Sequence, residues 1–302
     1  METTHTLGMI FAGVALFAWT ALSFSIRMAL RDAPLLRTTA TISSVNGLLM
    51  IPVAFSIMPL SAFQPSRSET IYFMAALGLF MVGAGRLTYY FAIRRIGPSR
   101  ALPVATSTPI ITAFIASAWV NEPVTQQMLF GLVLLAGGLT AAVRAEPSQD
   151  ANLPSAPTAR LLGWAAAGVT VFIWSISGVT MKVVASDVPP LAAAAMVIWA
   201  GVPFTWLIAL AGSKAEAGRW VPRASWPWIG AAACCQTVAV PSFFSAVHYT
   251  YAVNASSITA LQPLLALIVA HIFVREAENI TWRLVGGAGM TVAGTMVVIL
   301  SV

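Results

Sequence analysis

The chain contains one pattern twice, and this restricts its fold more than any other feature. A shift of 155 residues superimposes the segment around Trp19 on the segment around Trp174, and a shift of 154 relates two later motifs. The matching positions are Trp19 and Trp174, Pro109 and Pro263, and Glu122 and Glu276. A half-length repeat in so apolar a chain indicates gene duplication within a membrane protein.

The composition supports a membrane location. Charged residues make up 9% of the chain, hydrophobic residues 58%, and the mean hydropathy is +0.83, whereas about 25% of residues are charged in soluble domains. The net charge of +6 comes from arginines at the ends of apolar segments, where lipid headgroups are expected, so nucleic acid is not a predicted partner. Cys234 and Cys235 are adjacent in an apolar run and predict neither a disulfide framework nor a metal site. We expect no cofactor.

Charged, proline-rich and glycine-rich stretches divide the chain into ten apolar segments, each of roughly the 20 residues that a helix needs to cross a bilayer. Helices are expected because hydrocarbon offers no hydrogen-bond partner to an open backbone. The predicted spans 1 to 10 cover residues 7–26, 38–58, 70–93, 99–119, 126–143, 162–181, 189–211, 226–250, 254–274 and 281–301. The prediction is an all-α membrane protein with ten transmembrane helices.

Five spans in each half would give the two copies opposite orientations in the membrane, which is typical of carriers that work by alternating access. The predicted repeats are residues 1–143 and 161–302, joined by a polar, proline-rich linker over residues 144–160. Most lysines and arginines fall in the loops after spans 1, 3, 5, 7 and 9. The positive-inside rule therefore places both termini outside the cytoplasm.

Each half has the same sequence of features: a first span with a central Trp, a proline within the fourth span, a Glu after it, and a glycine-rich fifth span. These are Trp19 and Trp174, Pro109 and Pro263, Glu122 and Glu276, and residues 131–138 and 286–294. In this order and spacing the chain resembles the EamA-type carriers of the drug/metabolite transporter superfamily over nearly its whole length. The resemblance implies a central cavity walled by spans 1 to 4 and 6 to 9, and termini inside the cell, contrary to the charge count.

Spans 5 and 10 would then lie outside the cavity wall. They carry small residues at four-residue spacing, Gly138 with Ala142 and Gly289 with Ala293. Such spacing lets helices approach closely in lipid, so we predict a packing role for both spans. A homodimer formed through these small-residue faces is a further expectation.

Arg86 is the sharpest candidate for a substrate-binding residue, because it lies deep within span 3. A guanidinium at the bilayer centre costs about 3 kcal/mol on insertion scales, so it should face a cavity or a partner. Tyr89 and Tyr90 follow at i+3 and i+4, on the same helical face, where their rings could hold the cation beside an anionic ligand group. The alternative is a structural anchor that reaches backbone carbonyls or headgroups.

A second set of candidates lies in span 8 and in the two tryptophan-containing spans. Gln236, Phe243 and His248 have spacings that could share a broad face of span 8, and the His248 imidazole could titrate near neutral pH. Trp19 and Trp174 are too central in their spans for an interfacial belt and could stack on an aromatic or apolar substrate. For Gln236 and the tryptophans the alternative is helix packing, and for His248 it is the membrane interface.

The acidic residues narrow the choice of substrate, because all of them fall in loops or at span ends. A cavity with an arginine and no acid favours carboxylates, zwitterions or neutral polar solutes over cationic drugs. No nucleophile with a base, metal cluster or carboxylate pair is assembled in the spans, so no enzyme is predicted.

The predicted function is secondary transport of small organic metabolites, with export across the inner membrane. The expected substrates are amino acids or other carboxylate-bearing or zwitterionic solutes. The alternatives are uptake or exchange of organic anions or neutral metabolites, and a channel or scramblase. The expected partners are a small-molecule substrate and the lipid bilayer.

Overall fold

The computed structural model describes residues 2–145, 157–212, 216, 220–273 and 282–301. Within these ranges the chain forms helices and no strand, which confirms the all-α prediction. The α-helices are α1 (Glu2–Ala29), α2 (Leu35–Ile57), α3 (Ser68–Leu77), α4 (Arg86–Ile96), α5 (Pro98–Ala105), α6 (Thr108–Val120), α7 (Gln126–Ala145), α8 (Pro157–Ala185), α9 (Pro190–Ala211), α10 (Trp226–Tyr249), α11 (Ala252–Thr259), α12 (Gln262–Phe273) and α13 (Trp282–Leu300).

The lengths of these helices suit a bilayer. Seven helical stretches in the described ranges are long and apolar enough to cross it, and Gln126–Ala141 and Gly286–Leu300 are shorter apolar helices. The total of ten crossings stays a prediction.

The predicted linker is shorter than expected, because α7 continues to Ala145 and α8 begins at Pro157. Its centre, residues 146–156, and the paired acid Glu276 lie outside the described residues.

Span 3 is not a uniform α-helix. Between α3 and α4, residues Gly78–Gly85 form a π-helix, a wider turn that often occurs at functional sites. Glycines allow close packing here: a Cβ on Gly78 would lie 2.8 Å from the backbone nitrogen of Gly201, and one on Gly85 would lie 2.8 Å from Trp174 Nε1. The wide turn ends directly before Arg86, whose position it sets.

Spans 4 and 9, each predicted to contain a proline, are broken into two helices. The fourth stops at Ala105 and resumes at Thr108, and the ninth stops at Thr259 and resumes at Gln262. Proline has no N–H to donate and is favoured at the start of a helix, so Pro109 and Pro263 end one helix and begin the next. The prolines predicted within these two spans are therefore the points at which each span divides into two helices.

The two halves pack mainly against each other. Helix α1 of the first half lies along α10 of the second, and α8 of the second half lies along α4 and the π-helix of the first. Helices α2 and α9 also pack together. The first span of each half thus contacts the third span of the other half, so the two contacts are equivalent under the repeat.

Helices α7 and α13 form a close pair within the chain. A Cβ on Gly131 would lie 2.8 Å from the carbonyl oxygen of Gly294, and one on Gly138 would overlap Thr291. The small residues therefore pack two helices of one chain together, in line with the predicted packing role. Gly289 and Ala293 face away and are exposed. The homodimer stays a prediction.

Replacing Gly294 with Ala should lower the melting temperature of the purified protein. The added methyl would lie 2.6 Å from the Gly131 carbonyl oxygen, and backbone cannot move aside cheaply. Overpacking of this kind costs about 1–3 kcal/mol. The matched control is Gly289→Ala on the same helix, where a Cβ meets nothing within 4 Å. Equal melting temperatures for the two variants would contradict this account of the helix pair.

Candidate functional site

A central cavity lies between the two halves and contains about 850 Å³ of empty space, counting the part that is open to solvent. Its wall is built from both halves. Seven of the eight predicted site residues line it: Trp19, Arg86, Tyr89, Tyr90, Trp174, Gln236 and Phe243. The geometry thus brings together side chains from four of the predicted spans.

Arg86 is 3% exposed and reaches the cavity from the first turn of α4. Its Nη1 donates to Ser43 Oγ at 3.2 Å, and its Nη2 donates to Asn46 Oδ1 at 3.3 Å. Among the described residues no carboxylate contacts it. A buried guanidinium held only by neutral oxygens keeps an uncompensated positive charge, which favours an anionic group in the cavity.

Helix α2 holds Arg86 in place, a role that the sequence analysis did not predict. Ser43 and Asn46 lie one turn apart on α2, and Asn46 Nδ2 donates in turn to Thr237 Oγ1 on α10 at 2.9 Å. The available sequence signal for these partners was the spacing of Ser43 and Asn46, two polar residues three apart in an apolar span. The predicted cation–ring contact is replaced by these hydrogen bonds, since Tyr89 turns its ring toward Trp174, 5.0 Å away between centroids.

The aromatic residues form the apolar part of the wall. Trp19 packs on Phe243 with ring centroids 5.2 Å apart. Tyr89 lies between Trp174 and Tyr90, and its hydroxyl is 3.4 Å from Ser23 Oγ. Rings at these distances give a surface on which a flat or apolar group can pack.

Tyr90 and Gln236 are buried neighbours in the cavity wall. The Tyr90 hydroxyl lies beside Gln236 but makes no hydrogen bond of good geometry within the described chain. Buried polar groups are normally paired, because an unmet donor or acceptor costs about 1–3 kcal/mol. Both side chains line the cavity, so a bound solute is a natural partner for them.

His248 is the predicted site residue that the structure separates from the others. It is exposed near the end of α10, packs edge-on against Tyr249, and does not line the cavity. Its position is 12 residues beyond Gln236, which corresponds to about 18 Å along a helix and a different face. The expectation that His248 shares the site is therefore corrected.

Gln262 is a cavity residue that the sequence analysis missed. Its Nε2 donates to the carbonyl oxygen of Trp19 at 2.9 Å and to Ser23 Oγ at 3.0 Å, which leaves its Oε1 as an acceptor. The available signal was its place directly before Pro263 in the repeated motif. A polar side chain inside an apolar span is costly unless it faces a cavity or a polar partner.

Comparison with known families settles the class of protein. A family model described as "EamA-like transporter family" matches residues 6–144 and again residues 161–300. The chain belongs to the EamA-like transporter family. As an EamA-like protein it is a membrane transporter of the drug/metabolite transporter superfamily.

A solved structure described only as "Crystal structure of protein" has the same fold as this EamA-like chain. It is 17% identical, covers 98% of both chains and superimposes with a TM-score of 0.78. No curated protein matches the chain.

Proposed function

We propose that this EamA-like protein is a secondary carrier that exports small carboxylate-bearing or zwitterionic solutes, amino acids above all, across an inner membrane. The observation that carries the proposal is the buried Arg86 guanidinium, which faces the cavity with only neutral oxygens around it. A carboxylate would supply the missing charge and would match the planar fork of the guanidinium.

We also propose that the two halves are inverted and that transport proceeds by alternating access. Contacts at Thr250 support this arrangement. His5, near the start of α1, lies 3.2 Å from Thr250 Oγ1, and Lys182, near the end of α8, donates to the Thr250 carbonyl oxygen at 3.2 Å. The first helices of the two halves thus meet one residue with opposite ends, as oppositely oriented copies would.

The same end of the molecule carries a closure between the halves. Lys182 donates to Glu122, and both Glu122 carboxylate oxygens accept the backbone N–H of Ala252 at 2.8 and 3.0 Å. Opening the cavity at this face must separate these groups. This favours a carrier with discrete states over the second candidate, a channel or scramblase with a continuous path.

Counterflow in proteoliposomes tests the proposal. Vesicles preloaded with unlabelled L-phenylalanine, chosen because aromatic rings line the cavity, should accumulate labelled L-phenylalanine transiently and saturably. Vesicles without protein provide the control. Uptake that rises linearly with concentration and shows no transient overshoot would favour a channel. A parallel screen of amino acids and organic acids by thermal shift would identify better substrates, since a ligand stabilises the state it binds.

A further inference from the structure

The two helix breaks leave a matched pair of backbone carbonyls without hydrogen bonds. In a continuous helix the carbonyl of Ala105 would accept from residue 109 and that of Thr259 from residue 263, but both positions are proline, which has no N–H. The nearby backbone N–H groups do not bond to these two carbonyls. Ser107 N donates to the Val104 oxygen at 3.0 Å, and Leu261 N donates to the Ile258 oxygen at 3.1 Å.

Both residues belong to the cavity wall. Ala105 and Thr259 line it, they are 0% and 7% exposed, and no other described group donates to their oxygens. They are 154 residues apart, so the repeat supplies one from each half. Helices α5 and α12 pack against each other across the two breaks. Each carbonyl also lies at the C-terminal end of a helix, where partial negative charge accumulates.

We propose that these carbonyls, together with Gln262 Oε1, form the subsite for the ammonium group of a zwitterionic solute. An ammonium has three N–H donors, and this part of the wall offers three acceptors. The inference rests on the proposed function: Arg86 takes the carboxylate, and the two helix breaks take the amine. An orphaned carbonyl is costly in an apolar setting, and a bound ammonium would satisfy two of them at once.

Restoring the missing N–H tests the subsite. Pro263→Ala gives residue 263 a donor for the Thr259 oxygen, and Pro109→Ala does the same for Ala105. The matched control is Pro203→Ala in α9, which supplies a donor to Trp199, on a helix that contributes no residue to the cavity lining. Gln262→Met removes the third acceptor and leaves the backbone unchanged, so the test does not depend on the proline variants folding.

The probes are L-phenylalanine and 3-phenylpropanoate, which lacks only the amino group, with affinities measured by calorimetry on purified protein. Pro263→Ala and Gln262→Met should weaken L-phenylalanine binding about tenfold, or about 1.4 kcal/mol, and leave 3-phenylpropanoate unchanged. Pro203→Ala should change neither. Equal weakening of both probes, or of neither, would overturn the subsite.

Two further outcomes separate this inference from the function on which it rests. Stabilisation by sodium ions alone that is lost in Pro263→Ala would assign the carbonyls to an inorganic cation and overturn the ammonium assignment. Arg86-dependent binding of 3-phenylpropanoate with no gain from the amino group would defeat the subsite and leave the carboxylate function standing. Wild-type protein that binds neither probe would defeat both.

Discussion

Replacing Arg86 with Gln should reduce the affinity for a carboxylate-bearing substrate by at least about 30-fold and abolish its transport. Removing one partner of a buried charge pair costs about 2–5 kcal/mol of binding free energy. The melting temperature without ligand should not fall, because the variant no longer buries an unpaired charge. Transport in proteoliposomes and thermal melting of the purified protein measure the two effects.

Two variants serve as controls for Arg86. Arg86→Lys keeps the charge but loses the planar fork, so it should retain only part of the affinity. Arg67→Gln removes an exposed arginine outside the cavity and should transport normally. A structural anchor would behave differently: Arg86→Gln would then melt earlier, and its loss of transport would follow the loss of folded protein. Unchanged transport would refute the assignment outright.

Replacing Glu122 with Ala should give the largest loss of stability among these variants. Glu122 is 5% exposed, and its removal leaves Lys182 without its acid and the Ala252 N–H without an acceptor. Breaking a buried pair costs about 3–5 kcal/mol, and the lower value applies because the Lys182 side chain is 26% exposed. The melting temperature measures the effect.

The matched control is Glu69→Ala, which removes an exposed acid from the first turn of α3. Glu122→Gln should lie between the two, because its amide oxygen can still accept from Ala252. If Glu122→Ala melts at the same temperature as Glu69→Ala, the closure between the halves contributes nothing to stability.

The sequence was sufficient for features that depend on composition and repetition. The lengths of the apolar segments predicted the helices. The repeated motifs around Trp19 and Trp174 predicted that the two halves have related structures, and both tryptophans line the one cavity. Arg86 was identifiable because a charged side chain inside an apolar span carries a high desolvation cost unless it faces a cavity or a polar partner. These features depend on residues that are close in sequence or repeated, so they can be predicted without knowing which helices are in contact.

The features that sequence did not predict depend on which helices meet. The partners of Arg86 lie on α2, far along the chain, and the π-helix before it packs closely against α9, where Gly78 approaches Gly201. His248 was misplaced because spacing along a helix does not fix which face meets the cavity. Gln262 was missed because its role appears only once the helix break is known.

The orientation of the two halves is tested most directly by labelling cysteines from each side of the membrane. Arg31→Cys and Ser186→Cys stand at equivalent, exposed positions, 155 residues apart in the repeat. In a background with Cys234 and Cys235 replaced by Ser, a membrane-impermeant maleimide should reach the two cysteines from opposite sides. Labelling of both from the same side would contradict inverted halves around one cavity.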